Sequence, residues 1–405
     1  MNNNVFIKYA SEFQTKIDQT LSRIASLLDL LNNPQDSLKF IHVAGTNGKG
    51  SVCSFLQSIL SCSGHKTGKF ISPYMHKTTD SISIDGLDIE NNEFENILSE
   101  INEIIKKNCI ELPSQFEIQV SAAFLYFYRN NVDFVVLETG LGGSLDATNI
   151  IKSPILSVIT KIDIDHKAFL GDTIFEIAKH KAGIIKKNGA TITTLQTDEV
   201  LLVIEPECAE KNNKLMQIKK ADIKAPIGIY ECFSYGKIKD IICGLPGYFQ
   251  IENACIAIEC SLFLGISEEI IRIGIKNAKN PARFEILREN PTIIFDGAHN
   301  LNGSIALKES LDRYYKNIKK NYIMAYMSDK ETEKILGILN DGKNYYFTEV
   351  KNNDRSMRKE ELLEIARAAG LNGITCDIEA AVKASLKTGN LTVICGSLYL
   401  YKDID

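Results

Sequence analysis

The feature of this sequence that most constrains its fold is a glycine-rich segment, residues 42–51 (HVAGTNGKGS). An apolar strand pattern over residues 39–44 precedes the glycines, and a helical pattern over residues 49–61 follows them. Glycines let the backbone turn tightly and direct its N–H groups at phosphate oxygens, while the following helix start adds partial positive charge. This order of elements therefore predicts a phosphate-binding loop in an α/β domain.

The side chains of this loop suit a nucleotide. Lys49 can reach the β- and γ-phosphates, and the Ser51 hydroxyl can face a phosphate or a metal ion. The spacing departs from the general GxxxxGK[ST] pattern, because only two residues separate Gly45 from Gly48. The structural alternative is a glycine-rich turn with a solvated lysine. We expect nucleotide contacts from Thr46, Asn47, Gly48, Lys49, Gly50 and Ser51.

Two further apolar runs, residues 133–138 and 155–160, predict parallel strands that are buried on both faces. The first run ends in Glu138 and comes after the phosphate loop in the chain. Nucleotide-hydrolysing folds place an acid at such a strand end to hold magnesium. The structural alternative is a strand that simply ends in a carboxylate. Helical patterns are predicted at residues 9–31, 91–107, 115–129, 249–263 and 267–279.

The end of the chain predicts a second α/β domain. A proline interrupts the helical pattern at residues 280–283, which reads as a linker. Strand patterns at residues 292–296, 322–326, 345–350, 374–377 and 391–395 then alternate with helical segments. The predicted fold class is therefore α/β, with a phosphate-loop ATPase domain on a parallel-rich sheet (residues 1–280) and a smaller, doubly wound, Rossmann-like domain (residues 281–405).

Composition narrows the partners. With 46 Lys and Arg against 51 Asp and Glu, the net charge is −5, which does not favour sequence-independent nucleic-acid binding. No apolar run approaches the ~20 residues of a membrane span, and the first ten residues lack the plan of a signal peptide. The ten cysteines show no metal-binding spacing and suit a reducing compartment. We expect a cytoplasmic monomer that binds small molecules, without a nucleic-acid or membrane partner.

Together with the phosphate loop, residues 138–149 (ETGLGGSLDATN) resemble the folylpolyglutamate synthase/dihydrofolate synthase branch of the Mur ligase family. The resemblance continues in order through residues 165–166 (DH), 170–174 (LGDTI), 177–184 (IAKHKAGI), 250–254 (QIENA), 281–283 (PAR), 296–300 (DGAHN) and 395–398 (CGSL). It implies a Mur-ligase-like fold and an ATP-dependent, ADP-forming ligase. In this branch a substrate carboxylate attacks the γ-phosphate of ATP, and glutamate displaces phosphate from the acyl phosphate to form an amide.

The resemblance also implies two Mg²⁺ ions. Ser72, Glu138 and His166 match magnesium ligands of the family, and Ser51 of the loop is expected to join them. Lys181 falls where the family carries a lysine that CO₂ carboxylates, so that the resulting anion can hold the second ion. The structural alternatives are a loop histidine at position 166 and a surface helix lysine at position 181.

The remaining matches concern ATP and the substrates. Positions that hold ATP in the family correspond to Asn253, Arg283 and Asp296, of which Arg283 has a linker salt bridge as its structural alternative. Contacts for the incoming amino acid or the acyl phosphate correspond to His299 and Ser397. A folate-pocket segment corresponds to Phe116 and Glu117. The expected catalytic residues are Lys49, Lys181 and His299.

The departures from the family pattern fall on side chains that are expected to face the acceptor substrate. Ser81 and Ser144 stand where the pattern has arginines suited to carboxylate or pterin recognition, whereas Glu138, His166 and Lys181 are kept. The leading hypothesis is a ligase that joins glutamate to dihydropteroate, to a folate, or to both. The alternatives are a ligase with another carboxylate acceptor and a non-catalytic nucleotide-binding paralogue.

Overall fold

The structure is a computed structural model and describes residues 20–404. The chain divides into two compact units that share its middle region. The first contains the chain up to Asp222, Ser234–Ile241 and Glu252–Lys279, and the second contains Ile223–Phe233, Ile242–Ile251 and the chain from Asn280 onward. The predicted division into domains at residue 280 stays a prediction. The predicted helix at residues 9–31 is seen as α1, Ser22–Leu30, and residues 9–19 lie outside the described part.

Eight strands form the sheet of the first unit. They are β1 Phe40–Ala44, β2 Thr67–Phe70, β3 Ile82–Ile84, β4 Leu87–Asp88, β5 Phe134–Glu138, β6 Leu156–Ile159, β7 Ala190–Thr193 and β8 Lys214–Gln217. Their order is β4-β3-β2-β5-β1-β6-β7-β8. β3 pairs antiparallel with β2 and β4, and the other neighbours pair in parallel. Every residue of the central strand β1 is buried, which explains its apolar sequence.

The helices that follow α1 in this part of the chain are α2 Lys49–Cys62, α3 Asn91–Asn108, α4 Gln115–Arg129, α5 Lys167–Leu170, α6 Ile174–Ala182, α7 Asp198–Glu210, α8 Gln250–Phe263 and α9 Glu268–Asn277. One apolar core joins α1, the inner face of α3 and most of α4 to side chains of β1, β2 and β3. A second core joins α6 and α7 to the ends of β1 and β6. These cores fix the carboxyl ends of the parallel strands, where ligands bind in α/β folds.

Three short strands, β9 Asp222–Ile223, β10 Cys232–Tyr235 and β11 Ile238–Ile242, form a small sheet in the order β11-β10-β9. The sequence patterns predict nothing between residues 185 and 248. The structure nevertheless contains β7, α7, β8 and this small sheet there. The strands have only two to five residues, which is too short to show a clear period, and α7 contains Pro206, a residue that normally interrupts a helical pattern.

The second unit is built on a six-stranded sheet. Its strands are β12 Glu285–Glu289, β13 Thr292–Phe295, β14 Lys320–Met324, β15 Gly342–Phe347, β16 Gly373–Thr375 and β17 Leu391–Cys395, in the order β12-β13-β17-β14-β15-β16. All neighbours are parallel except β12 and β13. The helices are α10 Leu301–Tyr314, α11 Thr332–Ile338, α12 Lys359–Ala368 and α13 Ile378–Leu386. The predicted α/β class, a parallel-rich sheet followed by a smaller doubly wound domain, is confirmed.

Candidate active site

The phosphate loop leaves the buried carboxyl end of β1 and enters α2 through glycines with positive φ. Gly45 has φ +152° and Gly48 has φ +90°, and a Cβ on Gly48 would overlap Asn253 Oδ1. Backbone conformation and space therefore both require glycine at position 48. Gly48 is the N-cap of α2 and offers no side chain to its first N–H groups, as at helix starts that bind anions. The predicted nucleotide residues Gly48 and Asn253 are thus neighbours.

Lys49 begins α2 and lies beside the acid at the end of β5. Its Nζ is 3.8 Å from Glu138 Oε1 and 3.4 Å from the Thr46 carbonyl oxygen. Glu138 is buried, and its Oε2 accepts a 3.4 Å hydrogen bond from the Ser72 backbone N–H. Ser51 is also buried, in the first turn of α2. The structure therefore brings Lys49, the predicted phosphate-binding lysine, close to the predicted metal ligands Glu138 and Ser51.

Lys181 is a buried residue of α6, with 4% of its surface exposed. Its Nζ donates a 2.8 Å hydrogen bond to the carbonyl oxygen of Gly45, the first glycine of the phosphate loop. Burial and then the charge of Lys49 lower the pKa of Lys181 to about 7, although Asp165 and Asp146 act in the opposite direction. A large fraction of Lys181 is therefore a neutral amine at neutral pH, which a solvated surface lysine is not.

His166 follows Asp165 and precedes α5, with a left-handed backbone at φ +53°. The backbone N–H of His166 donates a 2.8 Å hydrogen bond to Asp165 Oδ1, and the ring atom Nε2 of His166 lies 3.9 Å from Asp165 Oδ2. About a third of the His166 side chain is exposed, whereas Asp165 is 9% exposed. Since Asp165 also acts on Lys181, these three residues belong to one cluster of titratable side chains near the phosphate loop.

The predicted metal ligands form a mixed set. Within residues 20–404 there is no group of three or more His, Cys, Asp or Glu side chains placed to hold a metal ion. Besides Glu138 and His166, the predicted set consists of the hydroxyls of Ser51 and Ser72 and a carboxylated Lys181. Its oxygen donors at Ser51 and Glu138 are buried, and Mg²⁺ prefers oxygen. The residues present therefore fit Mg²⁺.

The predicted folate-pocket residues lie at the start of α4. Glu117 forms a capping box with Ser114 and pairs with Arg23 at 3.2 Å between Oε2 and Nη2. Its carboxylate is thus committed to the fold, and a substrate contact by Glu117 stays a prediction. Phe116 packs against Phe70, and its ring touches the space where a Cβ on Gly140 would lie. Phe116 therefore faces the loop that follows Glu138.

In the second unit, Asp296 directly follows β13 and organises the loop there. Its two carboxylate oxygens accept hydrogen bonds of 2.8 Å from the N–H groups of Phe284 and Ala298. Burial raises the pKa of Asp296, and Arg283 and His299 oppose that shift. The predicted residues Arg283, Asp296 and His299 are therefore close to one another.

The other predicted substrate residue of this unit, Ser397, follows β17, which pairs with β13. Its hydroxyl accepts a hydrogen bond from the Tyr399 N–H at 3.2 Å. The N–H of Gly396 donates to the Ala298 carbonyl oxygen at 2.9 Å, so the loops after β13 and β17 touch. His299 Nδ1 is 2.8 Å from the Gly297 carbonyl oxygen, which makes Nδ1 the protonated ring nitrogen.

The sequence patterns missed two acids that act on Lys181. Asp165 was visible only as the partner of His166 in the chain. Asp146 is buried, and its carboxylate accepts hydrogen bonds from the Leu141 N–H at 2.7 Å and from the Thr148 hydroxyl at 2.5 Å. The glycine-rich loop around Asp146 and the pair Asp165–His166 gave a signal in the sequence, but the distance of both acids from Lys181 depends on the packing of α6.

Comparisons with known proteins agree with this architecture. Residues 43–261 match the Mur ligase middle domain, and residues 282–404 match the dihydrofolate synthetase C-terminal domain. The dihydrofolate synthase/folylpolyglutamate synthase of Bacillus subtilis is 32% identical over 406 residues, which cover 95% of this chain and 94% of that protein.

Solved structures show the same similarity. Mycobacterium tuberculosis folylpolyglutamate synthase complexed with ADP superposes with a TM-score of 0.91 and 27% identity, covering 99% of this chain and 96% of the other. E. coli FolC in complex with DHPP and ADP gives a TM-score of 0.86 and 27% identity, and the match covers 98% of this chain and 95% of the FolC chain. No helix within residues 20–404 has both the length and the apolar character that crossing a membrane requires.

Proposed function

Because the chain belongs to the folylpolyglutamate synthase/dihydrofolate synthase branch of the Mur ligase family, and is an ATP-dependent, ADP-forming ligase, we propose that it joins L-glutamate both to dihydropteroate and to folates. The acceptor carboxylate attacks the γ-phosphate of ATP to give an acyl phosphate and ADP, and the glutamate amine then displaces phosphate to form the amide. The observation that carries the proposal is the similarity, over 95% of this chain, to a relative named dihydrofolate synthase/folylpolyglutamate synthase.

The first unit would supply the residues that bind the phosphates of ATP. The N–H groups at the start of α2 and the Lys49 ammonium would stabilise negative charge on the transferring phosphoryl group. Lys49 lies 3.8 Å from Glu138 Oε1, and it would exchange this carboxylate for the phosphate oxygens when ATP binds. Asn253, beside Gly48, would contribute to holding the nucleotide.

Mg²⁺ fits the oxygen donors of this region. Ser51, Ser72, Glu138 and His166 would hold it, and when bound it would neutralise charge on the phosphates. The chain prepares these donors without the ion, because burial and the hydrogen bond from the Ser72 N–H fix the Glu138 carboxylate.

Lys181 is the site of the proposed carboxylation, which would give a second Mg²⁺ ligand. The lone pair of the neutral amine forms an N–C bond to CO₂, and one proton leaves the nitrogen. A pKa of about 7 keeps this reactive form populated, whereas an ordinary lysine with a pKa of about 10.4 is almost entirely charged at neutral pH. Burial of Lys181 therefore favours the chemistry rather than opposing it.

The second unit would handle the amino acid. His299, protonated at Nδ1 through the contact with Gly297, has Nε2 as the nitrogen that would take a proton from the attacking glutamate amine. Ser397, in the neighbouring loop after β17, would contact the incoming amino acid or the acyl phosphate. Arg283 and Asp296 would contact the nucleotide. The proposal includes a monomer without nucleic-acid or membrane partners. It also includes a cytoplasmic location, which the ten free cysteines support because thiols stay reduced there.

The test is incubation with ATP, Mg²⁺, L-glutamate and either dihydropteroate or a reduced folate, followed by mass spectrometry. We expect a mass gain of one glutamyl residue on both acceptors, together with stoichiometric ADP. A ligase of known activity serves as the positive control. Absence of both products where the control is active would refute the proposal, and a product from one acceptor alone would reduce it to a monofunctional enzyme.

One observation favours a second candidate, a ligase of the same mechanism with a different carboxylate acceptor. Ser144 stands where the family pattern has an arginine, and its hydroxyl contacts His180 Nδ1 at 3.2 Å. The acceptor side has therefore lost a guanidinium that suits carboxylates. A screen of pterin-free carboxylates with ADP release as the readout separates the two candidates, because the best acceptor gives the highest turnover.

A further inference from the structure

Residues 160–163, which follow β6, support the phosphate loop through hydrogen bonds. The backbone N–H groups of Thr46 and Asn47 both donate to the carbonyl oxygen of Lys161, at 2.8 and 3.4 Å. The Thr160 hydroxyl donates to the Asn47 carbonyl oxygen at 2.7 Å. The conformation of the phosphate loop therefore depends on this stretch of chain, which we call the 160–163 segment.

The Thr46 hydroxyl joins the same two parts of the chain. It donates a 2.9 Å hydrogen bond to the Asp163 carbonyl oxygen and accepts one of 3.0 Å from the Asp163 backbone N–H. The chain then continues to His166, a predicted metal ligand. The 160–163 segment therefore binds the phosphate loop along its length and leads directly to the metal-ligand region.

Gln196, in the loop after β7, holds the 160–163 segment from its other side. The Nε2 atom of this partly buried residue donates to the Thr160 carbonyl oxygen at 2.8 Å and to Thr193 Oγ1 at 3.1 Å. Its Oε1 atom accepts a 3.2 Å hydrogen bond from the Ile162 backbone N–H. One side chain thus binds the residues on both sides of Lys161, whose carbonyl oxygen receives the phosphate loop.

These contacts require a carboxamide at position 196. The Thr160 carbonyl oxygen needs a donor and the Ile162 N–H needs an acceptor, so only one orientation of the amide satisfies both groups. Glutamate would present an acceptor to both groups, and methionine would supply neither hydrogen bond. Gln196 lies outside the motifs that carry the family resemblance, and only the fold brings it to the 160–163 segment.

A phosphate loop that is fixed before ATP arrives has an energetic advantage. Ordering a flexible loop on binding costs conformational entropy, which a loop already held in place does not lose. The hydrogen bonds of Gln196 fix the 160–163 segment, and those of the segment fix Thr46 and Asn47. Gln196 therefore acts on the phosphate loop through two successive layers of hydrogen bonds.

We propose that Gln196 is a positioning residue for the nucleotide, which holds the phosphate loop in its ATP-binding conformation through the 160–163 segment. The proposal rests on the proposed function only for ATP as the nucleotide. It requires no particular acceptor, because the contacts lie at the phosphate end of the site.

The test is calorimetric titration of ATP in the presence of Mg²⁺ and without acceptor, with the unfolding temperature recorded for each variant. Gln196→Met keeps the side-chain length and removes the hydrogen bonds, and we expect the Kd for ATP to rise about tenfold, which corresponds to about 1.4 kcal/mol. Gln196→Glu should lose at least as much affinity, because a carboxylate oxygen then faces the Thr160 carbonyl oxygen. In the ligase assay, KM for ATP should rise by the same factor while KM for L-glutamate stays unchanged.

Gln217→Met is the matched control, because Gln217 is exposed on the neighbouring strand β8, where it pairs with Thr193 of β7. Its Kd for ATP should equal that of the wild type. A double-mutant cycle with Thr46→Val then tests the route, since this change removes the hydroxyl that binds Asp163. In the Thr46→Val background, the loss caused by Gln196→Met should shrink to about twofold or less, because the two side chains act through the same segment.

Wild-type affinity in Gln196→Met would overturn the proposal. So would a loss of affinity that is equally large with and without the Thr46 hydroxyl, or an equal rise of KM for ATP and for L-glutamate, which indicates a general loss of structure. If a variant unfolds early, its Kd is measured below the transition and the cycle decides in the same way. A wild type that binds ATP but forms no glutamyl product would refute the proposed function and leave this proposal standing.

Discussion

At the scale of single residues, Lys49 carries the sharpest prediction. Lys49→Ala removes the cation next to Glu138 at the start of α2, so stabilisation of the transferring phosphoryl group is lost. We expect kcat/KM for ATP to fall by about 10²–10³-fold or more, with an unchanged circular dichroism spectrum. Lys152→Ala is the control, because this lysine forms an exposed ion pair with Asp36. Retained turnover in Lys49→Ala would remove Lys49 from the phosphate site.

Lys181 allows a prediction that links burial to pH. Lys181→Ala should depress turnover strongly, and a short carboxylate such as acetate should restore part of it by occupying the place of the carboxylated side chain. In the wild type, carboxylation measured with ¹³CO₂ by NMR should increase as pH rises through about 7, because the neutral amine is the reactive form. Lys179→Ala, on the exposed face of the same helix, should behave as wild type. Full activity of Lys181→Ala would make this residue a structural lysine.

Single residues also show where sequence reasoning ends. The strand, glycine turn, lysine and helix of the phosphate loop are adjacent in the chain, so the sequence alone predicts their arrangement. The hydrogen bond from Lys181 to Gly45 joins residues that are 136 positions apart, and without the family resemblance position 181 looks like a surface helix lysine. Glu117 shows both situations in one residue. Its capping box with Ser114 joins residues three positions apart and is visible in the sequence, whereas its ion pair with Arg23 joins residues far apart in the chain and is not.

At the scale of elements, the packing of α9 on α2 depends on a glycine. A Cβ on Gly274 would lie 2.5 Å from Ile59 Cα, so Gly274→Ala must push the two helices apart. We expect a loss of about 1–3 kcal/mol in the free energy of unfolding, measured by urea denaturation. Gly337 of α11 is the matched control, since a Cβ there meets open space. Gly337→Ala should instead stabilise by about 0.5–1 kcal/mol, and equal effects of the two variants would contradict the packing argument.

Long helices and strands with a regular pattern of apolar residues were predicted more accurately than short or irregular ones. The long amphipathic helix α3 and the buried strand β5 agree with their patterns within a few residues. β14 begins two residues before the predicted strand at 322, because Lys320 and Asn321 are buried polar residues, held by Asp341 and by Ser385. A pattern of apolar residues cannot reveal strand positions that are satisfied by polar partners.

At the scale of the whole molecule, the second unit is assembled from three separate segments of the chain. Glu231, from the first segment, is fully buried and binds two side chains of α10. Arg313 approaches it with both Nε and Nη2, at 2.5 and 2.8 Å, and the Tyr314 hydroxyl donates at 2.5 Å. The Arg313 guanidinium also lies 5.0 Å from the ring centroid of Tyr248, in the second segment. The buried carboxylate of Glu231 and the guanidinium that it binds therefore join the three segments of the second unit.

This arrangement predicts a stability effect that distinguishes buried from exposed ion pairs. Glu231→Gln keeps the shape and removes the charge, and we expect a loss of about 2 kcal/mol in the free energy of unfolding. That value lies below the 3–5 kcal/mol typical of fully buried pairs, because the Arg313 side chain remains 30% exposed and regains some hydration. Hydrogen exchange of the 223–233 backbone should accelerate as well. Lys351→Ala, which removes a 2.6 Å ion pair of two exposed side chains, should cost less than about 1 kcal/mol. If the exposed variant lost as much stability as Glu231→Gln, burial of the carboxylate would not be what joins the three segments.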